Sequence, residues 1–406
     1  MIVNALTGKF LHITDIHLDL DYVEGSDPNE LCHRGNGAAG RLGAVGTKCD
    51  SSLALVEKTF DFIKKKFSDV DFVIYTGDSA RHNRDDSQPR SMKNIISEQK
   101  VVVKHFTDIF DSNVYPVIGN NDVEPHNSCE EDDEQFQTIA SIWEPLKLNT
   151  TSGDFGKGGY FYEDVVPGKI RTIHTNTLHF YKDNKKSKAD CKKPNSMGTI
   201  HLKWLQQVLK ESRQQGYSVY ILAHIPPTSK KGKAYYTDDC LESYLELLGT
   251  FKDTVVGHFA GHYNNDILSA IVEEDGKYKQ LSALKKKSTI QRKNLKSGNF
   301  ITPLFNTPSV IPTFNPSVRV FKYETQKTGE HPVGTILDWY QYYLNLDDNG
   351  KDYELEYQAS ELFKVNHFDG KGIAQVFTVM MDNQEVHEKY LDHVTVNTDD
   401  DDSDDD

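Results

Sequence analysis

The sequence predicts an α/β fold, a sheet covered by helices on both faces. Three observations carry this. Short, nearly continuous apolar runs alternate with helical patterns along the chain. Each run ends in a polar tip rather than in a tight hairpin. The 406 residues are 37% hydrophobic and 11% aromatic, enough for a substantial core. Apolar strands alternating with helices are the signature of sheets buried on both sides.

Residues 9–18, "KFLHITDIHL", alternate and are β-branched up to Asp15, which reads as a strand. Residues 51–67 place Leu53, Leu55, Val56, Phe60, Ile63 and Phe67 at helical spacing, with Ser51 or Ser52 as the cap. "VDFVIYTGDS" (70–79) is a short strand running into Gly-Asp, 96–110 is a helix, and "NVYPVIGNND" (113–122) is another strand. A glycine-rich loop is expected over Gly153–Gly159, followed by a hairpin in "GYFYEDVV" and "KIRTIHTNT". Residues 200–216 form an amphipathic helix closed by Gly216. "YSVYILAHIPP" (217–227) is a buried strand ending at His224, and "TVVGHFAGH" (254–262) is the last of the series.

Beyond 266 the pattern loosens. Residues 285–316 are basic, then rich in Pro, Asn and Thr, and are expected to form a long surface loop. Residues 317–325 and 334–346 read as strands of one more β layer, and 354–395 as mostly helical packing. No second domain is cut there. Residues 1–396 are expected to be one catalytic domain, with an extension from about 317 packed on it. Residues 397–406 end in an Asp-rich run, a disordered, self-repelling tail.

Net charge is −15 and mean hydropathy −0.60. No apolar run reaches the roughly 18 residues of a membrane span, and "MIVNALTGKF" lacks the basic and apolar regions of a signal peptide. Against the acidic background stand three basic clusters, 182–193, 230–233 and 285–296. They are either solvated loops or a cationic lane for a polyanion; the second reading makes Lys185, Lys186, Lys230, Lys231, Lys285 and Lys286 substrate contacts. No nucleic-acid recognition module is present, and specific nucleic-acid binding is not expected. None of the five cysteines forms a CxxC pair, so a zinc knuckle is not expected. Two disulfides and one spare thiol are expected, with Cys32 paired to Cys49. That arrangement, like the sequon at Asn149, suits an oxidising compartment.

The polar tips form a series: Asp15-Ile16-His17, Gly77-Asp78, Gly119-Asn120-Asn121-Asp122, His224, and Gly261-His262-Tyr263-Asn264. One Asp-x-His is commonly a turn, and one His before Pro-Pro is commonly structural. Five such tips, each ending an apolar strand, fall where open α/β sheets place their sites. Imidazoles with carboxylates suit Zn, Mn, Fe or Co, and Asp78 suits a bridge between two ions about 3.5–4 Å apart.

With these residues in view, the chain resembles the calcineurin-like metallophosphoesterases, whose signature is D-x-H, GD, GN-x-[DE], H, GH-x-H. "GDSARH" and "LCHRG…CD" bring it closer to the acid-sphingomyelinase-like branch. "EGSDPNELCHRG", "GNNDVEPHN", "SVIPTFNPSVRVF" and "DWYQYYLNL" resemble the fungal endopolyphosphatases. The resemblance spans about residues 9–360. It implies a four-layer α/β/β/α sandwich of two mixed sheets, two divalent ions (Zn, Mn, Co, Mg or Fe), and inorganic polyphosphate as substrate. It also implies the vacuole lumen, reached in fungal relatives through a membrane anchor, of which no segment is expected in the sequence as given. By position, Asp15, His17 and Asp78 hold the first ion and Asp78, Asn120, His224 and His262 the second. Asn264 stands where the family's last His completes the first.

Two departures matter. Asn264 offers a carbonyl oxygen instead of imidazole nitrogen, a weaker and harder ligand, so the first ion is expected to bind less tightly. Asn121 stands where the family has a histidine that assists the leaving group; Asn121 and His82 are the catalytic candidates, with His82 matching the other family histidine placed for that role. An anhydride expels phosphate, which needs little protonation, so the loss fits anhydrides better than lipid or sugar diesters. The alternatives are a sphingomyelinase-like or nucleotide phosphodiesterase, with Tyr160, Phe161, Tyr162, Tyr235 and Tyr236 stacking a base, and a non-catalytic polyanion binder with a decayed site.

Overall fold

The computed structural model describes residues 7–284, 299–327, 331–347 and 350–398. In chain order the strands are β1 (Thr7–Ile13), β2 (Leu18–Asp19), β3 (Ser51–Ser52), β4 (Phe72–Tyr75), β5 (Val114–Pro116), β6 (Phe161–Val166), β7 (Ile170–His174) and β8 (Ser218–Leu222). They continue with β9 (Val255–Ala260), β10 (Ile267–Glu274), β11 (Lys277–Ser282), β12 (Phe300–Asn306), β13 (Ser317–Glu324), β14 (Ile336–Tyr343) and β15 (Glu354–Gln358). The helices are α1 (Leu53–Phe67), α2 (Met92–Thr107), α3 (Glu134–Trp143), α4 (Phe155–Gly158), α5 (Met197–Gln215), α6 (Asp238–Thr250), α7 (Ala359–Phe363), α8 (Gly370–Asp382) and α9 (Gln384–Val394).

Two mixed sheets result. One runs β15-β14-β13-β1-β4-β5 and the other β11-β10-β12-β9-β8-β7-β6. In the first, β1 is parallel to β4 and antiparallel to β13. This register sets Phe10 opposite Phe72 on one side and Phe321 on the other, and the three rings stack at 4.8 and 5.0 Å between centroids. The same Phe10 meets Phe259 of the other sheet edge-on at 5.5 Å and Tyr220 at 5.6 Å. The sheets therefore pack face to face through an aromatic seam. Alternation along β1 sends Phe10 and His12 into it, and His12 is satisfied there by Thr76 at 2.9 Å and Thr307 at 2.7 Å. Losing the Phe10 ring would cost about 3–5 kcal/mol.

Helices cover the outer faces. Phe106 of α2 meets Tyr75 of β4, and Phe67 of α1 meets Tyr342 of β14. On the other side α5 packs on β8, and α8 on β12. Helix α1 starts where the Ser52 side chain accepts from the Leu55 N–H, and α5 ends at Gly216 in the left-handed conformation, as the sequence predicts.

Three expectations are corrected. The segment 285–316 is not all loop, because β12 is a fully buried strand joining β10 to β9. Pro303 inside "FITPLFN" and the polar residues around it hid the strand, since proline removes a ladder donor. Residues 267–282, to which the sequence assigns no element, form a hairpin, β10–β11, turning at Asp275-Gly276, both with positive φ. The 153–159 loop contains the short helix α4, and β15 precedes the C-terminal helices as an edge strand. The Asp-rich run from 399 lies outside the described residues. Asn397 and Thr398 are turned back onto Asp392 and Thr395.

The cysteines pair as Cys32–Cys49 and Cys191–Cys240. Cys129 is the free thiol, and it is buried rather than in an exposed loop. Burial pushes it up to about 12, so it is an inert core residue. The sequon residue Asn149 is exposed. No helix among the described residues is long and apolar enough to cross a membrane.

Candidate metal centre

The five polar tips meet at one end of the two sheets, where β1, β4, β5, β8 and β9 finish. Asp15, His17, Asp78, His262 and Asn264 all have positive φ, between 44° and 75°. Such conformations are rare outside glycine and persist where surrounding bonds enforce them. Here the tips are zipped together by backbone. The N–H of Asp15 donates to Gly77 O, His17 N–H to Asp78 O, and Gly261 N–H to His224 O, at 3.0–3.1 Å. The glycines of the motifs have a steric reason. A Cβ on Gly119 would stand 2.1 Å from Asp78 Oδ1, and one on Gly261 would stand 2.5 Å from Asp15 Oδ2. Only a bare backbone lets these carboxylates come so close.

Asp78 is central. Its Oδ2 lies 3.3 Å from His17 Nε2 and 3.2 Å from His224 Nε2. Asp15 Oδ1 is 3.7 Å from His17 Nε2. Asn120 Oδ1 lies 2.7 Å from His224 Nε2 and 2.9 Å from His262 Nδ1. Asp15, Asp78 and His224 each offer a ligand atom within 4.8 Å of the others. The second nitrogens of two imidazoles are fixed from behind. His17 Nδ1 faces Ala80 O at 3.0 Å and His224 Nδ1 faces Thr76 O at 2.7 Å. Donation to those carbonyls turns each Nε2 lone pair inward, as in metal-binding histidines.

The site demands positive charge. His224 Nε2 and Asn120 Oδ1 both present lone pairs across 2.7 Å. The Asn120 amide cannot flip to relieve this, because its Nδ2 is held by Asn127 Oδ1 at 2.9 Å. Burial pushes the His224 imidazole down, but the Asp78 and Asp15 carboxylates outweigh it and raise it to about 9. Burial likewise favours neutral Asp78, and His224 and His17 overcome it, holding that carboxyl well below its usual range. A proton or a cation must sit among these groups. The Asn264 Oδ1 atom is buried without a hydrogen-bond partner. Carboxylate, imidazole and amide oxygen together fit divalent cations.

His82 stands beside the cluster, stacked on His17 and bonded through Nδ1 to Asp50 Oδ1 at 2.6 Å. Asn121 holds Asp78 from behind, its N–H donating to Oδ1 at 2.7 Å and its Nδ2 to Oδ2 at 2.8 Å. It is therefore placed to orient a carboxylate rather than to reach a leaving group. Two groups went unassigned in the sequence. Asp122 accepts from the N–H groups of Asp78, Ser79 and Gly119 at 2.8–2.9 Å and ties two tips together. Asp50 orients His82, and its only signal was its place after Cys49 in "KCD". A small cavity beside His82 is lined by Lys48, Asp50, Arg81 and Arg84, among others.

The lysines divide. Lys230 is buried, its Nζ donating to Asn265 Oδ1 at 3.1 Å, next to Asn264. Lys186 is ion-paired with Asp133 at 2.9 Å. Lys185 and Lys231 are exposed, and Lys285 and Lys286 lie outside the described residues. Of the aromatics suggested for stacking a base, Tyr160, Phe161, Tyr235 and Tyr236 are buried. Tyr160 stacks on His201 and Phe161 on His174, and Arg171 lies over Tyr162. Tyr160, Phe161 and Tyr162 are thus engaged in packing, whereas Tyr235 stands edge-on to His262 at 5.3 Å.

Residues 8–263 match the calcineurin-like phosphoesterase family. The chain belongs to that family. Among curated relatives of this phosphoesterase, the endopolyphosphatase of Neurospora crassa is 33% identical over 291 residues, 69% of this chain and 40% of its own length. That of Schizosaccharomyces pombe is 32% identical over 361 residues, 78% of this chain and 61% of its own length. The phosphoesterase thus spans about 40–60% of these two relatives. A solved dimetal phosphatase from Danio rerio aligns over 82% of this chain and 95% of its own, at 13% identity and a TM-score of 0.45.

Proposed function

We propose that the protein is a two-metal phosphohydrolase that cuts phosphoanhydride bonds within inorganic polyphosphate chains. The observation that carries it is the placement of Asp78 Oδ2 within 3.3 Å of both His17 and His224, in a family member whose matched relatives are named endopolyphosphatase. Asp15, His17, Asp78 and Asn264 would hold one ion, and Asp78, Asn120, His224 and His262 the other. Such a pair supplies Lewis acidity toward a phosphoryl oxygen and a water of lowered pKa.

The chain's own residues do the rest. Asn121 and Asp122 keep Asp78 and its loop in register with Gly119. Asp50 fixes the His82 ring beside His17. The exposed Lys185 and Lys231 give a polyanion a cationic approach. The two disulfides suit an oxidising lumen, which agrees with the vacuole that the resemblance implies.

The test is long-chain polyphosphate with each of several divalent metals, products resolved by gel. Intermediate chain lengths are expected. Orthophosphate alone would overturn internal cleavage, and no product with any metal would overturn the enzymatic reading.

A further inference from the structure

A second cluster of ligand groups lies far from the centre along the sheet. Strand β13 runs antiparallel to β1 and pairs its end, Glu324, with Thr7. Residues following β13 are thus at the start of β1, whereas the centre is at its finish. His331 sits on this connection into β14. The chain returns to it after α7 with His367-Phe368-Asp369.

The local sequence explains the meeting. Phe368 is wholly buried, its ring centroid 4.5 Å from that of Trp339, and its N–H donates to Ile336 O at 2.7 Å. Neighbours two apart in extended chain share a side, so anchoring Phe368 inward turns His367 and Asp369 outward together. Gly372 lets the first turn of α8 close over them, since a Cβ there would collide with His367 O.

Asp369 divides its carboxylate between two tasks. Oδ1 caps α8, accepting from the Lys371 and Gly372 N–H groups at 3.0 Å. Oδ2 faces His331 Nδ1 at 3.2 Å. His367 Nε2 lies 3.6 Å from Oδ1. Each of the three residues offers a ligand atom within 4.8 Å of the others. Ligand atoms about 2.0–2.1 Å from a tetrahedral zinc are about 3.3 Å apart; the 3.2 Å and 3.6 Å contacts, made to the two different oxygens of Asp369, fall on either side of that value. The three side chains retain 14–25% of their exposure, so an ion has access from solvent.

We propose that His331, His367 and Asp369 form a further metal site, two imidazoles and one carboxylate, a donor set suited to Zn2+ with water completing the shell. The ion joins residues 38 positions apart. It clamps the connection between β13 and β14 to the start of α8, and its role is structural, independent of the phosphoesterase centre.

Zinc alone is the probe. Wild type and His331→Gln are dialysed against Zn2+ and the bound metal counted by elemental analysis. His331→Gln leaves the Asp369 cap intact, so the fold is retained. Asp369→Asn, which keeps a capping oxygen but loses the charge, is the second variant. Each variant is expected to bind one equivalent fewer than wild type, to gain less melting temperature from Zn2+, and to cleave polyphosphate at the wild-type rate with the centre filled. Equal zinc content and equal thermal gain would overturn the proposal and leave a hydrogen-bonded His–Asp pair.

Discussion

The His82 imidazole lies flat on that of His17, ring centroids 4.1 Å apart and planes 12° from parallel. Burial pushes His82 down to about 3, with the neighbouring His17 adding to the effect and the Asp50 carboxylate opposing it. The ring is then neutral near pH 7. Its Nδ1–H donates to Asp50 and its Nε2 carries a lone pair, so it has no proton to give a departing group. Leaving groups that depart unaided are favoured. His82→Ala is expected to slow polyphosphate cleavage by less than about tenfold, against the 10²–10⁴-fold range of a working general acid. Aryl phosphodiesters of graded leaving-group pKa check this. The dependence on leaving group should be equally steep in wild type and variant, and a steeper slope in the variant would show that His82 donates a proton.

Asn264 Oδ1 is buried without a partner, on a backbone with φ of 61°. Asparagine and histidine both tolerate this conformation better than most residues, so Asn264→His changes the ligand and adds little strain. Imidazole nitrogen suits zinc better than an amide oxygen does. The variant is expected to bind Zn2+ on the order of tenfold more tightly and to lose relative activity with Mg2+ and Mn2+. Competition with a chromophoric chelator measures the first effect and a metal series the second. Unchanged affinity and preference would remove Asn264 from the site.

His33 lies between two buried carboxylates, Nε2 2.8 Å from Asp19 and Nδ1 2.7 Å from Asp85. The Asp19 hydrogen bond raises it, burial opposes, and Asp85 helps carry it to about 9. A histidine bound more tightly to its proton when folded stabilises the fold below its unfolded value near 6.5. That contribution fades as pH rises through 9. Screening by nearby solvent reduces it to about 1–2 kcal/mol at acid pH. Urea unfolding of wild type and His33→Gln should differ most at pH 6 and converge above pH 9. A difference that grew with pH would contradict it.

Much of this centre could be read from the chain, because its polar tips end apolar strands and three of the candidate ligands, Asp78, Asn120 and His262, directly follow a glycine. The structure adds why: Gly119 and Gly261 have no room for a side chain beside Asp78 and Asp15. Strand β12 was hidden because Pro303 breaks the local pattern while pairing on both sides supplies the order. Asp50 and Asp122 were missed as site residues for a related reason. Asp50 ends no strand in a recognisable motif, Asp122 closes the Gly119–Asp122 tip without being a ligand, and the importance of both lies in hydrogen bonds to residues 32 and 44 positions away.

The disulfides should separate stability from activity. Cys32–Cys49 closes 17 residues and Cys191–Cys240 closes 49. Loop-closure entropy gives about 3 and about 4 kcal/mol respectively. Asp50 follows Cys49 directly and holds His82 through both the ring and the backbone N–H. Replacing Cys32 and Cys49 with serine is therefore expected to lower melting temperature and to slow polyphosphate turnover by no more than His82→Ala does. Replacing Cys191 and Cys240 should lower melting temperature alone, measured below both transitions. Thiol titration of the unfolded chain sets the baseline, with one reactive thiol, Cys129, before reduction and all five cysteines after. If opening Cys32–Cys49 left turnover untouched at a temperature where the fold persists, Asp50 would be held by the rest of the fold, and the link from disulfide to His82 would be broken.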